Sequence, residues 1–172
     1  MPLITSDRIR AGANIIRWNG WMNTPISIIR HSVAMHDCIL RLEPAARVSA
    51  RMALIHDLHE TEIVGDVPTP DKRKYMNTLY HIDVAEFDKN VAREAGVPTM
   101  IYGAAWWANP TLKVADRTAV IVENSRYVMP VSVDPELPVY DPDSIWHRTM
   151  FECYESLLGT NDHDEWWRCY GA

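Results

Sequence analysis

The sequence predicts an all-α fold built as one domain over residues 1–172. Apolar residues recur at three- and four-residue spacing through five long segments, while alternating strand patterns are weak. Proline, asparagine or aspartate opens most of these segments, and glycine closes several. A chain of this length suits one hydrophobic core.

The first segment is Thr24–Leu42, with Thr24 as N-cap and Pro25 in the first turn. Ile28, His31, Met35, Cys38 and Leu42 share one side of it. A second helix is expected over Glu43–Glu60, with Pro44 near its start. Pro70–Gly96 reads as one long helix or two, stopped by Gly96. Asn109 followed by Pro110 starts a fourth, running to Met129. The fifth covers Asp141–Gly159, with Asp141 or Asp143 near its cap, and a short terminal helix is expected over Asp162–Tyr170. Met129–Tyr140 is broken by prolines and reads as an extended loop.

A net charge of -6 gives no overall attraction to nucleic acid or to an anionic membrane. No apolar run reaches the roughly 18 residues that span a bilayer, and the N-terminus carries no signal-like apolar core. Cys38, Cys153 and Cys169 are odd in number and far apart. They read as small buried hydrophobes in a reducing, cytoplasmic setting, not as a disulfide framework.

The stretch MALIHDLHETEIVGDVPTP, Met52–Pro70, puts ionisable groups at the end of an apolar helix. On a continuous helix His56, Asp57 and Glu60 crowd one side. Behind His56 run Ala45, Ser49 and Ala53, small enough to let another helix approach closely. Buried imidazole and carboxylate groups are costly unless paired, and a divalent cation would pair them. Asp116 lies on an apolar stripe with Leu112, Ala119 and Val120, and Lys113 precedes it by three residues, placed to pair with it or with a substrate phosphate. His31 lies on the apolar stripe of the first helix. His31, His56, Asp57 and Asp116 would supply two imidazoles and two carboxylates, a set that suits Zn, Mn, Co or Fe. A lone buried histidine is more often a hydrogen-bonded core residue, so spacing alone leaves both readings open.

The order His31, His56-Asp57, Asp116 resembles the H…HD…D signature of HD-domain phosphohydrolases. RWNGW, RHS, HDLHE, GDVPTPDK and LKVAD, spread from Arg17 to Glu123, are similar to the branch holding bacterial 5′-deoxynucleotidases and compact phage enzymes that hydrolyse deoxynucleoside triphosphates. The short length is most similar to phage dATP triphosphohydrolases. The resemblance implies a helical HD domain in which His31, His56, Asp57 and Asp116 ligate the metal, whether Zn, Co or Mn, with Mg for the triphosphate. It implies that Glu60 handles the attacking water. Arg17 and Trp18 would line the nucleotide pocket, Asp66 would meet the sugar hydroxyl, Pro70 would face the base, and Lys72 and Lys113 would meet phosphate. The spacing from HDxxE to GD is one residue longer here than in that branch, which leaves Glu62 as an alternative to Glu60. A phosphate ester needs such parts: charge neutralisation and activated water from a metal, cations around the phosphates, and a flat aromatic face for a base.

The implied reaction is hydrolysis of dATP to deoxyadenosine and triphosphate. The alternatives are hydrolysis of deoxynucleoside monophosphates and a nucleotide-binding sensor without turnover. The expected partners are a small deoxynucleotide and further copies of the chain in a homo-oligomer, with neither a nucleic-acid polymer nor a membrane.

Overall fold

In the computed structural model, the described residues are 1–18, 22–62, 78–97, 109–126, 141–157 and 162–172. They contain seven α-helices: α1 (Ser6–Gly12), α2 (Ile28–Leu42), α3 (Arg47–Ile55), α4 (Thr78–Glu94), α5 (Pro110–Arg126), α6 (Ile145–Leu157) and α7 (Asp162–Gly171). A 3-10 turn, Leu58–Thr61, follows α3. Among the described residues there is no strand, so the all-α expectation holds. Met129–Tyr140 and the helix starts before Thr78 lie outside these residues.

Helix α2 is the centre of the packing. It touches α1, α3, α5, α6 and α7, and most of its side chains are buried. Its apolar positions recur too often for one narrow stripe, as expected of a helix enclosed by neighbours. Val33, Met35, Ile39, Met52, Leu54 and Ile55 are fully buried and join a core that also takes in Met150, Tyr154 and Trp166. No helix among the described residues is long and apolar enough to cross a membrane.

Several boundaries differ from the sequence reading, each for a local reason. Helix α2 starts at Ile28, not Thr24, and Ser27 Oγ caps it by accepting from Arg30 N at 3.1 Å. The preceding residues are extended because they pair with Ile15–Arg17: Arg17 N donates to Ile26 O and Ile28 N to Ile15 O, each at 3.0 Å. Pro44 and Ala45 sit in the turn before α3, not within it. Helix α3 ends at Ile55, and Asp57 takes φ -103°, ψ 8°, a sparsely populated conformation that breaks the α-helical path. His56 and Asp57 therefore project from a helix break, not from the face of one long helix.

Other expectations hold. Asn109 caps α5, its Oδ1 accepting from Leu112 N at 2.8 Å, with Pro110 as first residue. The Asn109 amide also donates to Ser49 Oγ at 2.9 Å, which docks the start of α5 on the small-residue side of α3. Gly96 follows α4 with φ 67°, where a Cβ would be strained. Before α6, Ser144 takes the cap position and Asp141 folds the turn ahead of it.

Helix α1 was not anticipated. Thr5 caps it, accepting from Arg8 N at 3.2 Å. It packs on α2 and on the 3-10 turn, a close approach that Gly12 permits: a Cβ there would stand 2.8 Å from Ile29 Cγ1. The N-terminal strand of chain is tied down by Glu94, which accepts from Leu3 N and Ile4 N at 2.6 and 2.9 Å.

The cysteine expectation is half right. All three cysteines are buried, but Cys38 and Cys153 form a disulfide that links α2 to α6, with Cα atoms 6.3 Å apart. Packing of two helices distant in sequence makes that pair, and no sequence spacing announces it. Cys169 is free and buried, and burial pushes its thiol up to about 12.

Candidate metal centre

Three elements meet at a buried polar cluster. Helix α2 supplies His31, the break after α3 supplies His56 and Asp57, and α5 supplies Asp116. His31 Nε2 lies 3.4 Å from Asp116 Oδ1 and 3.8 Å from Asp57 Oδ2. His56 Nε2 lies 3.1 Å from Asp57 Oδ2 and 3.9 Å from Asp116 Oδ1. The imidazole centroids are 5.4 Å apart. Both histidines are buried, whereas the Asp116 side chain keeps a fifth of its surface and forms the open side.

Each imidazole is oriented by its far nitrogen. His56 Nδ1 donates to the Ala53 carbonyl at 2.9 Å. His31 Nδ1 donates to Glu123 Oε1 at 2.9 Å. That leaves both Nε2 atoms aimed at the carboxylates. Neither makes a hydrogen bond, although carboxylate oxygens stand 3.4 Å from His31 Nε2 and 3.1 Å from His56 Nε2. Buried polar atoms are rarely left so. The arrangement fits a divalent cation: ligand atoms of His31, His56 and Asp116 lie within 4.8 Å of one another, Asp57 adjoins them while grouping as closely with His59 and Glu60, and each ring is fixed from behind as metal-binding histidines are. Nitrogen donors favour Zn, Co, Mn or Fe over an all-oxygen cation.

The electrostatics agree. Burial pulls the His56 imidazole down, but the Asp57 carboxylate outweighs it and lifts the pKa to about 9. Burial and Arg17 likewise pull His31 down, and Glu123 and Asp116 overcome them, leaving it raised. Burial pushes Asp57 up, yet His56 and Arg17 hold it well below the usual carboxylate range. Three carboxylates face a single guanidinium here, so the cluster draws positive charge, whether protons or a cation.

Arg17 lies against this cluster. Its Nη1 donates to Asp57 Oδ2 at 3.1 Å and its Nε to Glu123 Oε2 at 3.0 Å. Trp18 adjoins it, partly buried, with its indole Nε1 donating to the same Glu123 oxygen at 2.9 Å. Trp18 has φ 57°, a left-handed backbone unusual for a bulky side chain.

Glu60 and Glu62 differ in burial and in partner. Glu60 is buried in the 3-10 turn, and ligand atoms of Asp57, His59 and Glu60 lie within 4.8 Å of one another. Glu62 points away and pairs with Arg8 at 2.5 Å, with about half its side chain exposed. His59 is held by Asp88 Oδ1 at 3.2 Å; burial pulls its imidazole down, and Asp88 more than restores it.

Lys113 is exposed on α5 and forms no ion pair with Asp116. Asp66, Pro70 and Lys72 lie outside the described residues. Two residues went unforeseen. Glu123 and Tyr154 are fully buried, and the Tyr154 hydroxyl, 2.5 Å from His31 Nδ1, donates to Glu123 Oε1 at 2.7 Å. A signal for Glu123 existed: it falls one turn beyond Ala119 and Val120, on the apolar stripe that carries Asp116.

No protein-family model matches the chain, and no curated protein matches it either.

Proposed function

We propose that the chain is a metal-dependent phosphohydrolase of the HD-domain kind, acting on a purine deoxynucleotide, with dATP hydrolysed to deoxyadenosine and triphosphate. The observation that carries the reading is the pair of buried Nε2 atoms, on His31 and His56, left without hydrogen bonds and grouped with a carboxylate oxygen of Asp116 within 4.8 Å, with Asp57 Oδ2 3.1 Å from His56 Nε2. His31, His56, Asp57 and Asp116 would hold a divalent cation, which when bound would supply Lewis acidity to water and to the phosphoryl group.

The chain's own groups account for the rest. Glu60, buried beside Asp57, accepts the proton of the attacking water. Water adds to the α-phosphorus and the bond to the 5′-oxygen breaks. Triphosphate keeps the new oxygen, and the departing 5′-oxygen takes up a proton. Arg17 holds Asp57 in place and adds positive charge at the phosphoryl side. Trp18 offers its indole face to the purine. Lys113, exposed one turn before Asp116, would meet the outer phosphates together with Lys72. Asp66 and Pro70 would complete the sugar and base contacts.

The test is product chromatography after incubation with each deoxynucleoside triphosphate and monophosphate, with Mn, Co, Zn or Mg supplied in turn. Deoxyadenosine and triphosphate from dATP support the proposal. Release of phosphate from monophosphates alone replaces it with a 5′-deoxynucleotidase. Binding of dATP without hydrolysis replaces it with a sensor.

A further inference from the structure

We infer that Glu123 is a positioning residue that joins the metal ligands to the nucleotide-side pair Arg17-Trp18, so that filling the metal site is felt at Trp18. The inference rests on the metal-binding half of the proposed function and needs no nucleotide.

The geometry is specific. Glu123 has no exposed surface and sits at the crossing of three elements. Its Oε1 accepts from His31 Nδ1 and from the Tyr154 hydroxyl. Its Oε2 accepts from Arg17 Nε and Trp18 Nε1. Four donors use about the full accepting capacity of a carboxylate. One oxygen therefore serves the metal ligand and the other the nucleotide side, and the rigid carboxylate plane ties the two together. Arg17 extends the link, because its Nη1 reaches Asp57, a second expected ligand.

A merely structural acid would not need this division. Glu123 also accounts for Trp18. A bulky residue at φ 57° is strained and persists only where its surroundings over-determine it. The indole hydrogen bond to Glu123 is such a restraint. A cation on the His31 Nε2 lone pair would polarise the Nδ1–H bond and strengthen its hydrogen bond to Oε1. The carboxylate then redistributes its charge away from Oε2, where the Trp18 indole is bound.

The test uses Zn(II) alone on the full chain. Zn affinity is read by competition with a chromophoric chelator. The Trp18 indole resonance is followed in nitrogen-proton spectra, assigned by its absence in Trp18→Phe. In the unsubstituted protein, Zn should shift the Trp18 indole resonance. Glu123→Gln should bind Zn roughly 10–100-fold more weakly, and saturating Zn should no longer move that resonance. Glu123→Asp, which keeps the charge on a shorter arm, should recover part of the affinity. A Trp18 resonance indifferent to Zn in the unsubstituted protein overturns the inference even if Glu123→Gln fails to fold. So does a folded Glu123→Gln protein with unaltered Zn affinity. If Zn binds and moves Trp18 while no deoxynucleotide is hydrolysed, the phosphohydrolase reading fails and this one stands.

Discussion

His31 Nε2 and Asp116 Oδ1 face each other at 3.4 Å across the gap between α2 and α5. Two groups from separate helices are thus held at cation-bridging range, and Asp57 and His56 close the ring. Asp57→Ala should abolish turnover and metal retention. Asp116→Asn, which keeps shape but removes charge, should lower metal affinity by at least the roughly 10–100-fold seen for lesser, outer-shell changes. Metal content by elemental mass spectrometry and turnover measured on the same samples check both. Full activity in the Asp57 variant would sink the site assignment.

Trp18→Ala should act mainly on KM for the nucleotide. Base–aromatic stacking is worth about 1–3 kcal/mol, which corresponds to roughly 5- to 150-fold in KM. Trp18→Phe keeps a flat face and should lose much less. Steady-state kinetics on dATP separate the two variants. An unchanged KM in Trp18→Ala would remove this side chain from the base pocket.

Gly12→Ala should destabilise the fold without touching the cluster. The added methyl meets Ile29 at 2.8 and 2.9 Å and Thr61 at 3.3 Å. Overpacking of this kind costs about 1–3 kcal/mol. For a chain of this size that lowers the melting midpoint by roughly 2–10 °C. Thermal denaturation followed by circular dichroism reads it directly, and a midpoint equal to the parent's would show that α1 gives way easily.

Acid stability should depend on Glu123. Burial pushes its carboxyl up, but Arg17 and His31 hold it down, to about 2, from an ordinary value of 4.5. Its folded pKa is depressed, so its contribution is present above about 4.5 and fades as pH falls toward 2. Denaturant titrations with chelator present, taken between pH 6 and pH 3, should show stability falling more steeply in the parent than in Glu123→Gln. Parallel slopes would remove Glu123 from the acid response.

The helices were legible in the sequence because their signals are local. Apolar periodicity marked α2 through α7, and Asn109-Pro110 and Gly96 set boundaries by hydrogen-bonding and φ requirements that a few residues decide. The candidate ligands His31, His56, Asp57 and Asp116 were also visible, since acids and imidazoles on apolar stripes need partners wherever they end up. Tertiary structure alone decided the rest. Ser27 caps α2 only because Ile26 and Ile28 pair with the Ile15–Arg17 segment. Glu60 is turned inward and Glu62 outward because the helix breaks at Asp57 and Arg8 captures Glu62. Cys38 meets Cys153, and Glu123 meets His31, Arg17, Trp18 and Tyr154, through the packing of helices far apart along the chain. Burial and charge pairing at such separations depend on how whole helices cross, which residue spacing does not encode.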